Sequence, residues 1–154
     1  MKDYFIGLFQ YDRFASDTIL KAFADAGKPQ RSARIIAHLL TAQKIWLDRC
    51  KGIVTGAVNL WPEPQPAAFA DDIAANNKAW LGFMEGLQPA DFDKTISYAN
   101  TKGEWTSIRL LDILTQVINH GTHHRAQIGQ EAKGLGIDPP NTDYFAFVRY
   151  VKNR

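Results

Sequence analysis

The chain has 154 residues, one ordinary domain's length spanning 1–154, and 45% of them are hydrophobic. That is enough to bury a core without disulfides or a structural metal, so any metal here would serve function. The net charge of +2 is mild, and Lys and Arg are dispersed rather than clustered, which argues against a nucleic-acid partner.

Cys50 is the one cysteine, so no internal disulfide is possible and a reducing compartment fits best. The opening "MKDYFIGLFQYDRF" has no continuous apolar core and no small-residue cleavage site, so no signal peptide is expected. No window approaches the roughly 18 apolar residues of a membrane span. The expectation is a soluble cytoplasmic protein with no membrane partner.

In chain order, a first helix is expected from about Asp3 to Ala26. Phe5, Leu8, Phe9, Phe14, Ile19, Leu20 and Phe23 form its apolar stripe. "AGKP" ends it, with Gly27 as C-cap and Pro29 beyond. A second helix starts near Ser32, read as its N-cap, carries Ile35, Ile36, Leu39, Leu40, Ile45, Trp46 and Leu47, and stops near Gly52.

"IVTGAVNLWPEPQPAAFADD" follows. Pro62, Pro64 and Pro66 forbid a helix in its middle, leaving a long loop of the kind that often serves function or covers something. A third helix spans about Ala70 to Leu87, burying Ile73, Trp80, Leu81, Phe83 and Met84. "KTISYANTKGEWTSI" reads as a short hairpin turning at "NTKG". A fourth long helix runs from about Ser107, its N-cap, to Lys133, and "IDPPNTDYFAFVRY" is a proline turn before a short aromatic helix or strand. The fold class is therefore all-α: an antiparallel four-helix bundle, with the proline loop and the hairpin at its ends.

Three of the four histidines fall in "VINHGTHHRAQIG". A helix advances about 100° per residue; with His120 at 0°, Ile113 lies near 20°, His124 near 40°, Val117 near 60° and Ile128 near 80°. His120 and His124 thus sit on the apolar side, while His123, near −60°, falls with Gln116 and Asn119 on the polar side. At i and i+4, the paired Cβ atoms stand about 5–6 Å apart. Two imidazoles so placed can converge on one ion at about 2.0–2.1 Å. Gly121, between them, permits a close approach by a neighbouring helix or a ligand.

The fourth histidine is His38. On the second helix it shares a face with Ile35, Ala42, Ile45 and Trp46, so it too points inward. Alone, a buried histidine is more often hydrogen-bonded core than ligand. Three in one small core need a reason, because each unpaired nitrogen costs about 1–3 kcal/mol, and a shared cation satisfies all of them.

At these patches the sequence resembles the DinB family, within the wider DinB/YfiT-like superfamily. "LFQYDRFASDTILKAF" resembles the family's opening helix, "IIAHLLTAQKIWLDR" its second, "VINHGTHHRAQIG" its fourth and "DYFAFVR" its C-terminal stretch. The resemblance implies a four-helix bundle with a divalent metal on three histidines, here His38, His120 and His124. It also implies a homodimer and, by analogy with some relatives, chemistry that uses a low-molecular-weight thiol. The opening helix departs from the pattern: Phe14 and Ser16 stand where the family often has Trp and Asn.

Three histidines make a catalytic type of ligand set, since a closed structural zinc site takes four protein ligands. The remaining positions would take water or substrate, and zinc, nickel, iron or copper suits imidazole. Asp48, Gln116, Gln127 and Glu131 are candidates to orient the rings. Arg125 lies inside the apolar arc. Its preferred reading is a snorkelling side chain at the bundle end or dimer face, the alternative an anion-recognising group or a buried ion pair. His123 reads as a solvated surface residue rather than a proton shuttle, and Cys50 as a small buried hydrophobe rather than a reactive thiol. Trp46, Trp61, Trp80 and Trp105 read as core or loop anchors, with Trp61 a candidate to line the pocket. No catalytic side chain stands out.

Two functions fit. One is a metal-dependent enzyme, a thiol-dependent S-transferase or a hydrolase, acting on a small molecule. The other is a non-catalytic metal-binding, stress-response or dimerisation protein.

Overall fold

The computed structural model describes residues 1–54, 56, 58–100 and 103–153. It is mostly helical, with one small antiparallel sheet. The long helices are α1 (Lys2–Asp25), α2 (Gln30–Cys50), α3 (Phe69–Glu85) and α4 (Leu110–Gly134). A helical bundle results, in which α1 packs against α3 and α4, and α2 against the same two helices.

The helix boundaries follow local chemistry. After α1 the chain turns at Gly27, whose φ of +77° is the left-handed conformation that glycine adopts without strain. Two expected caps are corrected. Ser32 lies inside α2, which begins after extended Pro29, and its buried hydroxyl donates to the Glu131 carboxylate of α4. Ser107 lies in a strand. The hairpin β1 (Thr95–Ala99) and β2 (Trp105–Arg109) pairs Ser97 with Ser107, whose hydroxyls are 2.8 Å apart. Each serine found a tertiary or cross-strand partner, so neither was free to cap. Arg109 is instead the extended residue from which α4 starts. Of the expected "NTKG" turn, Thr101 and Lys102 lie outside the described residues. The tail forms a short helix, α5 (Tyr144–Phe147), continued by one wider turn (Val148–Lys152), and Phe147 packs against Tyr11 and Phe14 of α1.

Two apolar clusters fill the interior. One gathers Phe5, Phe9, Leu47, Trp80, Met84 and the first half of α4 from Leu110 to Ile118. The other gathers Ile19, Phe23, Ile35, Ile36, Phe69 and the second half of α4 at Ile128 and Ala132. The stretch of α4 between them carries His120, His124 and Arg125, so a polar layer separates two greasy ones. Trp80 is a core residue at 1% exposed, whereas Trp105, expected to be an anchor, is 77% exposed on the hairpin. Among the described residues, no helix is long and apolar enough to cross a membrane.

Candidate metal centre

α2 and α4 pack side by side, and each presents histidines at the polar layer. His38 comes from α2; His120 and His124 come from successive turns of α4. One ring nitrogen from each lies within 4.8 Å of the others. The Nε2 of His120 is 3.1 Å from that of His124 and 3.4 Å from that of His38. His38 and His124 are buried, and His120 is partly so.

The outer nitrogens decide what the inner ones can do. His38 Nδ1 lies 2.8 Å from the backbone carbonyl of Leu60. His124 Nδ1 lies 2.8 Å from the side-chain oxygen of Gln127. Both partners only accept, so both Nδ1 atoms carry the hydrogen and donate it, and both Nε2 atoms are bare lone pairs. Three Nε2 atoms then converge with at most one N–H among them, on His120. That hydrogen can serve one neighbour, and the remaining nitrogen has no donor. A cation satisfies this arrangement fully, and nitrogen donors with oriented outer hydrogens are the usual first requirement for holding one. The donor set therefore fits a divalent metal.

Electrostatics favour the same state. Burial, reinforced by the neighbouring imidazoles, pushes the His120 pKa down to about 4. His124 is also lowered by burial, against an opposing pull from its Gln127 hydrogen bond. Neutral imidazole is the ligand form.

Of the expected orienting residues, Gln127 takes the role. Its amide also donates to His123 Nε2 at 3.1 Å, and the exposed His123 ring stands edge-on to His124 with centroids 5.1 Å apart, so His123 flanks the centre without joining it. Gln116 points to solvent, and Glu131 is engaged with Ser32. The orienting group on His38 was not foreseen. The Leu60 carbonyl is a backbone atom in the proline loop and leaves no mark in a residue pattern. The same loop brings Trp61 flat onto His38, with ring centroids 3.9 Å apart and planes 8° apart, and edge-on to His124. Trp61 thus belongs to the site.

A sequence-family comparison matches the DinB family over residues 16–153, which include all three histidines. The chain belongs to the DinB family. No curated protein and no solved structure matches it significantly. In this DinB protein His38 and the His120/His124 pair come together in space, and Phe14 and Ser16 lie off the histidines. Phe14 packs on Phe147, and Ser16 accepts a hydrogen bond from Arg125 at 3.2 Å.

Arg125 corrects the snorkelling expectation. It is 2% exposed, and its guanidinium is 2.5 Å from the Asp12 carboxylate of α1, itself buried. Gln43 of α2 donates to the other Asp12 oxygen at 2.8 Å. Gly121 makes room for the pair: a Cβ there would stand 2.7 Å from Asp12 Oδ1 and 2.9 Å from Arg125 Nη1. The close approach that Gly121 permits is therefore that of α1's carboxylate. Asp12 was missed, although an acid three residues after Phe9 on the apolar stripe is the available signal. Cys50 is partly buried, and burial pushes its thiol up to about 12, so it is not a ready nucleophile.

Proposed function

We propose that His38, His120 and His124 bind one divalent metal and that the protein is a metal-dependent enzyme. The observation that carries this reading is the convergence of three Nε2 atoms, two of which are held as lone pairs by the Leu60 carbonyl and Gln127. Among the described residues no fourth His, Cys, Asp or Glu joins the cluster, which leaves coordination positions for an exchangeable ligand. A divalent ion there supplies Lewis-acid polarisation and acidifies a coordinated water or thiol. The chain's own contribution is orientation: Leu60 and Gln127 fix the rings, and Trp61 shields one side of His38 from water.

The reaction class we favour is a thiol-dependent S-transfer with a low-molecular-weight thiol, or a hydrolysis, acting on a small molecule. The reading includes an antiparallel four-helix arrangement, a homodimer and a cytoplasmic setting. The ion is zinc, nickel or iron. One observation favours a non-catalytic metal-binding role instead: the Trp61 ring covers His38 and narrows access to the ion.

Elemental analysis of protein purified without chelator tests the first step. About one equivalent of metal is expected in the wild type and none in His120→Ala. A metal-free wild type sinks the reading. Conjugation of glutathione, bacillithiol or mycothiol to electrophiles then separates transferase from hydrolase, and no conjugation with any of them removes the transferase.

A further inference from the structure

The histidines account for holding an ion but not for what is brought to it. Beside them opens a recess of about 460 Å3, lined by Gln30, Arg31, Arg34, Ile35, Trp61 and Gln127. Its volume falls among those of small-molecule sites, about 300–1,000 Å3. Two of its walls are shared with the metal centre: Trp61 stacks on His38, and Gln127 bonds to His124.

The charge of this recess is one-sided. Arg31 and Arg34 are both exposed and sit at i and i+3, on one face of the first turns of α2. No acidic residue occupies that first turn, and the positive end of the helix dipole adds to the same sign. Other described arginines are engaged. Arg13, Arg109 and Arg125 pair with carboxylates, while Arg49 and Arg149 lie over aromatic rings. Among the described residues, Arg31 and Arg34 have no such partner, and both line the same recess.

We infer that the recess binds a small organic anion, its carboxylate or phosphate gripped by Arg31 and Arg34 and its body lying against Trp61. A guanidinium presents a planar fork that matches either oxyanion, and two forks one turn apart can share it. An anion anchored there extends along Trp61 and Gln127 toward the three histidines. This assigns the substrate class of the proposed metal centre and rests on that reading, although the anion grip itself needs no metal.

The test is calorimetric titration with benzoate, phenyl phosphate and neutral benzyl alcohol, on metal-free and zinc-loaded protein. Wild type is expected to bind at least one of the two anions in both metal states and to leave the alcohol unbound. The Arg31→Gln/Arg34→Gln double variant should lose at least tenfold in anion affinity while keeping its helical circular dichroism and its zinc content. Absence of binding by both anions, equal binding of the alcohol, or an unchanged affinity in the double variant overturns the inference. Anion binding that persists in a protein unable to hold zinc supports the recess and counts against the metal centre alone.

Discussion

The polar layer contains two clusters, and α4 supplies a residue to each within a single turn. At one, Arg125 meets Asp12, and Gln43, Ser16 and Thr122 supply further hydrogen bonds. At the other, His124 and His120 meet His38. The first is complete: a cation faces an anion, and the neutral groups around them donate or accept in turn. The second is incomplete: three ring nitrogens face one another with at most the one His120 hydrogen between them, and among the described residues no acidic group joins them. Burial of polar atoms is costly in both places. Where the protein balances the cost internally, the cluster is structural. Where it leaves the balance open, there is room for a cation from outside, and under the proposed function that is where the metal binds.

This contrast can be broken from either side. The largest effect is expected at the complete cluster. Arg125→Ala strands the Asp12 carboxylate in the interior and should cost about 3–5 kcal/mol, lowering Tm by roughly 6–20 °C, while the folded fraction still takes up metal. Thermal unfolding with parallel metal analysis reads both, and loss of metal from folded protein would show that the clusters are not independent.

Next comes Gln127→Ala at the incomplete cluster. It frees the His124 ring and should weaken metal binding by about 10–100-fold with little change in the stability of metal-free protein. Competition with a chromogenic chelator measures this, and an unchanged affinity would mean that Gln127 orients nothing.

Gly121→Ala is smaller. Its methyl group pushes on Asp12 and Arg125, an overpacking cost of about 1–3 kcal/mol that is partly offset by alanine's better helix propensity of about 1 kcal/mol. Urea midpoints should fall modestly. A stabilised variant would show that the ion pair yields without strain.

The effect of acid on metal-free protein is spread over a range of pH rather than placed at one substitution. The folded state resists protonating His120 until about pH 4, whereas an unfolded histidine takes its proton near 6.5. The unfolded chain therefore binds more protons in that window. The stability contribution is complete above pH 6.5 and is lost as the pH falls toward 4. A urea midpoint rising on acidification through that window would reverse the sign and refute the burial argument.

Much of the centre was legible because helical periodicity is a local property. The wheel separated His123 from His120 and His124, and His38 fell on the apolar face of its own helix by the same count. The two cap assignments failed for a related reason. A serine before a helix carries a local signal, but Ser32 met Glu131 from 99 residues away, and Ser107 was held by Ser97 in the hairpin whose strand runs up to the helix. Trp61 could be placed in a loop but not on His38, because 22 residues lie between them, the first twelve in α2, and how the loop returns to that helix is set by packing.

The sequence by itself determined the helical pattern and the inward set of three histidines, which follow from residue spacing along single elements, and it carried the resemblance to the DinB family in its matching patches. Only the tertiary structure decided the ring tautomers, the partner of Arg125 and the basic recess beside the centre. Those depend on atoms far apart in the chain: Leu60's carbonyl against His38, Asp12 against Arg125, Gln127 against Trp61. Their juxtaposition is decided by how the helices and the proline loop pack, and a backbone carbonyl or a distant carboxylate leaves no periodic trace from which it could be read.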